Sequence, residues 1–156
     1  MRSGLGESVM RRADRLQPVQ NLADDAERRA AQRVAAAERS QREAEAKLSD
    51  LESYAADYQR QYTGRVASGI GVTELRDYQA FLARLNDAIR QQRAIVSRTR
   101  HDSDAERLRW QEAAKRSKAL DHVADKWRDE ERRAADKREQ NEIDERALLK
   151  AARTER

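Results

Sequence analysis

The chain contains no cysteine, one proline and five glycines in 156 residues. Without cysteine there are no disulfides and no thiolate chemistry, and a reducing compartment fits. The proline is Pro18, and beyond residue 6 the glycines stand only at Gly64, Gly69 and Gly71. Residues 19–63 and 72–156 therefore carry neither of the two residues that punctuate helices. No apolar run approaches the roughly 20 residues that span a bilayer. The N-terminal Met-Arg-Ser-Gly-Leu-Gly-Glu lacks the apolar stretch of a secretory signal. A cytoplasmic protein with no integral membrane segment is expected. Charge of one sign is also missing in blocks: 33 basic and 29 acidic residues interleave, for a net charge of +4. Nucleic-acid binding is not indicated by such a pattern.

Catalytic and cofactor chemistry lack their raw materials too. His101 and His122 are the only histidines, and they do not have metal-ligand spacing. The run Gly64-Arg-Val-Ala-Ser-Gly69 superficially resembles a phosphate loop. However, Ile70-Gly71 stands where Lys and Ser or Thr are required. Carboxylates are plentiful, but nothing points to a dry pocket that would perturb them. No enzyme, cofactor or metal site is expected.

What is present is charge, at 40% of residues, with Ala, Glu, Arg and Lys prominent. With helical periodicity this composition means a coiled coil; without it the chain would be disordered. The periodicity is there. Leu16, Ala23, Ala30, Ala37, Ala44, Leu51 and Tyr58 recur every seven residues. A companion row holds Val34, Gln41, Leu48, Ala55 and Tyr62, and is expected to shift to Val19 and Ala26 near the start. In the second arm Leu75, Leu82, Ile89, Val96, Ser103, Trp110, Ser117 and Ala124 form one row. Tyr78, Leu85, Gln92, Thr99, Glu106, Ala113, Leu120, Trp127 and Ala134 form the other. Two such positions per heptad make the seam of a left-handed coiled coil.

The expected fold is all-α: two long helices in an antiparallel coiled-coil hairpin. The boundaries read as a flexible tail at 1–10, coiled coil at 11–150 and a second tail at 151–156. Within the coiled coil the first helix covers about 13–63, the hinge 64–72 and the second helix about 73–150 (Met10 is an alternative start). Thr73 is the expected N-cap of the second helix, with Glu74 and Asp77 in its first turn. A hairpin centred near Ser68 sets Leu51 against Leu85, Tyr58 against Tyr78, Leu48 near Ile89 and Leu16 against Leu120. Trp110 then faces Ala23, Ala26 and Ala30. Past about Leu120 the second arm has no partner in this register, so Trp127, Ala134, Ile143, Leu148 and Leu149 lie on a single helix that frays, packs on the N-terminal tail or awaits a partner.

Two features exceed what a hairpin requires. All four tyrosines and Phe81 lie between residues 54 and 81. Tyr54 and Phe81 sit one place off the seam and, with Leu51, Leu85 and Ala88, make a second apolar stripe. Two helices cannot bury both stripes, so the second reads either as closure of the hairpin end or as a docking surface. The second feature is the pair of charged open ends, 11–35 and 105–150, with weak seam residues.

The hinge stretch Ser68-Gly-Ile-Gly-Val-Thr-Glu-Leu-Arg-Asp-Tyr-Gln-Ala-Phe-Leu-Ala-Arg-Leu-Asn-Asp-Ala-Ile89 resembles the flagellar FliJ family. Gly69-Ile70, Tyr78-Gln79-Ala80-Phe81-Leu82, Leu85 and Ala88-Ile89 carry the likeness. Leu51, Tyr54, Tyr58 and Tyr62 upstream, and Trp110 and Glu139-Gln-Asn-Glu-Ile-Asp-Glu145 downstream, extend it. The resemblance implies a stalk-like component of the flagellar type III export apparatus. It implies as partners a hexameric export ATPase, the cytoplasmic domain of the export gate, and export chaperones. The family's gate-contact surface falls on Leu51, Tyr54, Tyr58, Phe81, Leu85 and Ala88. Lys47 and Gln92 depart, standing where members carry Gln and His. Stalk likeness points to the open end for the ATPase ring, at Arg11, Arg12, Arg15, Leu16, Leu120 and Trp127. An injectisome-type stalk, and a general scaffold or weak nucleic-acid binder, are the alternatives.

Overall fold

The computed structural model describes residues 3–155, with side chains from residue 12 onward. Helix α1 runs Ser3–Ser68 and helix α2 runs Val72–Thr154, and they form an antiparallel hairpin. Two compact units divide the pair. The turn unit is Arg29–Gln111; the end unit joins Met1–Arg28 with Glu112–Arg156.

The turn is tighter than the expected hinge. Gly64 lies inside α1, and only residues 69–71 leave helical geometry. Gly69 has φ +93°, in the left-handed region that an L side chain resists. Its N–H donates to the Val66 carbonyl at 3.3 Å and closes α1. The Leu75 N–H donates to the Gly71 carbonyl at 3.0 Å. Gly71, not Thr73, therefore holds the N-cap position, and Thr73 falls within the first turn of α2. Glu74 does lie in that first turn, where a carboxylate favours the helix dipole. It also takes Arg65 across the turn at 2.6 Å, which raises the guanidinium pKa through the hydrogen bond and the charge.

In the turn unit Leu85, Ile89, Val96, Ala30 and Ala44 are buried. All lie on the expected rows. Tyr58 meets Tyr78 with ring centroids 5.1 Å apart. Gln92 Nε2 donates to the Ala44 carbonyl at 3.0 Å, a buried bond in the expected register. One edge of this unit carries a ladder of cross-arm ion pairs. Arg93 meets Glu52 at 3.3 Å, Arg100 meets Glu45 at 3.0 Å and Arg107 meets Glu38 at 2.9 Å. Bonds from Gln41 and Arg100 hold the Glu45 carboxyl below its usual pKa. Each exposed pair contributes little stability. A slip of a few residues would break all three pairs at once, although a slip of a whole heptad would keep two of them.

Ser103, on the same seam, is fully buried, and its Oγ has no hydrogen-bond partner among the described residues. An unsatisfied buried hydroxyl costs about 1–3 kcal/mol, and serine is also the poorer helix former. Ser103→Ala is therefore expected to stabilise the protein by about 1 kcal/mol. A urea midpoint that rises at unchanged slope is the expected result; an unchanged or lower midpoint would mean the hydroxyl is satisfied by water.

The end unit differs from expectation in two ways and decides between alternatives in a third. First, α1 begins at Ser3, about ten residues before the expected start, and passes through Pro18. An interior proline costs a backbone bond, but Ala13 on one side and Gln20 and Ala23 on the other are buried, so packing carries the helix through. The flexible tail expected at 1–10 lies outside the described side chains, and Met1 and Arg2 lie outside the described residues altogether. Second, the companion row does not shift. Val19 is 45% exposed, whereas Gln20 is 7% exposed. Ala13 and Gln20 simply continue the seven-residue row. Third, of the outcomes left open for Trp127, packing against the N-terminal arm is the one seen. Trp127 is half-buried, and the Arg12 guanidinium lies 4.2 Å from the ring centroid, a cation–π contact. The longer α1 supplies this cover. Every residue at 132–155 is exposed.

Candidate functional site

The turn unit brings the expected docking residues to one place. Tyr54 packs edge-on to Phe81 at 6.0 Å, and Tyr58 lies 4.4 Å from Phe81 and 6.3 Å from Tyr54. Tyr62 joins through Tyr78 at 5.8 Å. These are contact distances at which rings attract through their quadrupoles. Leu85 is buried; Leu51, Tyr58, Phe81 and Ala88 are half-buried; Tyr54 stays 51% exposed. The heptad explains this gradient. Tyr58 and Leu85 occupy seam rows, while Tyr54, Phe81 and Ala88 occupy the flanking position on one edge. Burial against its neighbours, then the nearby Tyr78, Tyr54 and Asp77, pushes the Tyr58 phenol above its ordinary pKa. It remains a neutral hydroxyl at physiological pH.

The Arg–Glu ladder occupies the opposite edge, so the two edges differ in kind. The apolar edge continues with Ile95, 36% exposed, which the sequence reading did not single out. Its signal was the seven-residue step Phe81, Ala88, Ile95. Beyond it a shallow groove is lined by Arg33, Ala36, Ala37, Thr99, Ala105 and Arg109. Of the two departures from the family pattern, Lys47 is exposed. Gln92 is 4% exposed and held by Ala44, so its amide is a seam bond and not a free contact.

At the open end Leu16 and Leu120 are half-buried and Arg15 is exposed. Arg12 is paired with Trp127 as above, a pairing not foreseen although both residues were singled out. The side chain of Arg11 lies outside the described residues. Nearby polar seam groups are locked to acids: Gln20 Nε2 donates to Asp121 Oδ1 at 2.9 Å, and Ser117 Oγ donates to Asp24 Oδ1 at 2.6 Å. Trp110, expected to face Ala23, Ala26 and Ala30, is 36% exposed.

His101 and His122 are both exposed. Among the described residues no three His, Cys, Asp or Glu side chains are grouped to hold a metal ion, and no helix is long and apolar enough to cross a membrane.

No curated protein and no solved structure matches the chain. The family model described as "Flagellar FliJ protein" matches residues 11–156, both helices and the aromatic turn included. The chain therefore belongs to the FliJ family, and with it to the components of the flagellar protein export apparatus.

Proposed function

We propose that this protein is the non-enzymatic stalk that couples the hexameric flagellar export ATPase to the export gate. In this reading the turn end docks on the cytoplasmic domain of the gate through Leu51, Tyr54, Tyr58, Phe81, Leu85 and Ala88. The open end, around Arg11, Arg12, Arg15, Leu16, Leu120 and Trp127, seats in the ATPase ring and promotes its assembly and activity. Export chaperones are further partners, and the site of action is the cytoplasmic side of the inner membrane.

The observation that carries the reading is the one-sided turn unit. One edge is closed by ion pairs; the other presents a ring cluster with Tyr54 half in solvent. Aromatic residues at the rim of a packed cluster are the kind that dominate protein interfaces. The decisive experiment titrates the protein into the cognate flagellar export ATPase and follows phosphate release and hexamer formation. Stimulation that saturates near one chain per ring is expected, since a central stalk has room for one. No effect with both proteins folded would sink the stalk role. Stimulation of an injectisome ATPase instead would move the same mechanism to that machine.

A further inference from the structure

The exposed end of α2 carries a charge pattern that is complementary to itself when reversed. At 132–155 every residue is exposed. Ile143 is 50% exposed and Leu149 is 64% exposed. Glu139, Glu142, Arg146, Lys150 and Arg153 follow one another at steps of three, four, four and three residues. Such steps put all five on one helical face. The steps are palindromic about Arg146, but the charges are not: two acids precede it and two bases follow it. Among the described residues none of the five forms an ion pair, although arginines upstream do, including Arg107, Arg109 and Arg128.

We infer that this face pairs with the same face of a second copy, antiparallel, about a two-fold axis at Arg146. That arrangement sets Glu139 and Glu142 of each copy against Lys150 and Arg153 of the other. Ile143 and Leu149 lie along the flanks and gain cover. The two Arg146 side chains meet at the axis, where each has Glu142 of its own helix one turn away. Parallel pairing is disfavoured because it sets acid on acid and base on base. The contact is isologous and closes at two chains, so it makes a dimer and not a fibre. Its helix is about 36 Å long, which places it among small, reversible interfaces.

The test is a charge exchange in the full chain, followed by sedimentation velocity from about 5 to about 500 µM, a span suited to small interfaces. The unaltered chain is expected to self-associate, at least tenfold more weakly in about 0.5 M salt than in about 0.05 M. Glu139→Lys with Glu142→Lys makes the face wholly basic. Lys150→Glu with Arg153→Glu makes it predominantly acidic. Each variant alone is expected to be monomeric, and an equimolar mixture to associate again. All four changes use good helix formers on an exposed face, and circular dichroism checks that helicity is kept. A chain that stays monomeric throughout, or variants that associate as before, would overturn the proposal. Orientation is read separately in this cysteine-free chain. Arg146→Cys is expected to give a disulfide-linked dimer under mild oxidation, and Glu139→Cys alone is not. Crosslinking by Glu139→Cys with itself would mean a parallel pair and would reject the two-fold arrangement.

Discussion

Ile89→Asp is expected to unfold the turn unit at ordinary temperature, whereas Ile95→Asp, six residues on, should leave it folded. Both are isoleucines in the same helix with the same intrinsic propensity, so the contrast isolates burial. Ile89 is 7% exposed and shares the seam with Leu85 and Ala44, both also 7% exposed. Truncating such a residue to alanine already costs about 2–5 kcal/mol. An aspartate adds a carboxylate at a position only 7% exposed, a further cost of several kcal/mol. A small domain holds only about 5–15 kcal/mol in total, and a two-helix unit has no second layer to share the loss. Ile95 sits on the flanking edge at 36% exposed, where a carboxylate keeps its water. Its change should cost about 1 kcal/mol or less. Thermal unfolding by circular dichroism separates the two. Equal loss of midpoint in both variants would mean that the seam is not where the heptad puts it.

That contrast also measures what was legible beforehand. A two-residue-per-heptad pattern specifies which side of a helix is inside, and both helices keep to it: Ala23, Ala30 and Ala44 of α1 and Ile89, Val96 and Ala124 of α2 are buried, as are the polar row members Gln92, Ser103 and Ser117. Reading failed where the row was kept by polar residues. Gln20 lies seven residues past Ala13 and is buried, although Val19 beside it is the more hydrophobic. Hydrophobicity and register disagreed there, and register won because two straight rows cannot shift by one residue without a defect. Underestimating α1 had the same root. Pro18 argues against helix locally, and only packing on the partner arm, with Ala13 and Ala124 buried and Trp127 beneath Arg12, outweighs it. The half-exposed aromatic edge could be read from spacing, since Tyr54 and Phe81 are one place off the seam. The Arg12–Trp127 contact could not, because it depends on how far α1 extends.

Replacing Tyr54 and Phe81 together by alanine should abolish docking and motility while leaving both helices in place. Tyr54 is 51% exposed, and its contacts are with Tyr58 and Phe81 on the same cluster. Removing it takes little from the fold. Phe81 is half-buried against Tyr58 at 4.4 Å, so its truncation also loosens the cluster, at about 1–3 kcal/mol. On the partner side the sign is the same and the size larger. Aromatic anchors at the centre of an interface cost about 2 kcal/mol or more each when truncated, so losing two weakens binding by roughly two to three powers of ten. Tyr62→Ala is the matched control. Tyr62 meets Tyr78 in the seam, with ring centroids 5.8 Å apart and the planes tilted, and lies off the exposed edge. It should lower the melting temperature while keeping affinity for the gate's cytoplasmic domain. If docking depended only on a well-closed turn, Tyr62→Ala would impair it as much as the double variant does. The two readings of the stripe, closure against docking, thus predict different rankings of these two variants: equal loss in the first case, and loss in the double variant alone in the second. Affinity measured by calorimetry and spreading measured on soft agar should both rank Tyr62→Ala near the unaltered chain and the double variant far below. Normal spreading by the double variant would remove the docking role.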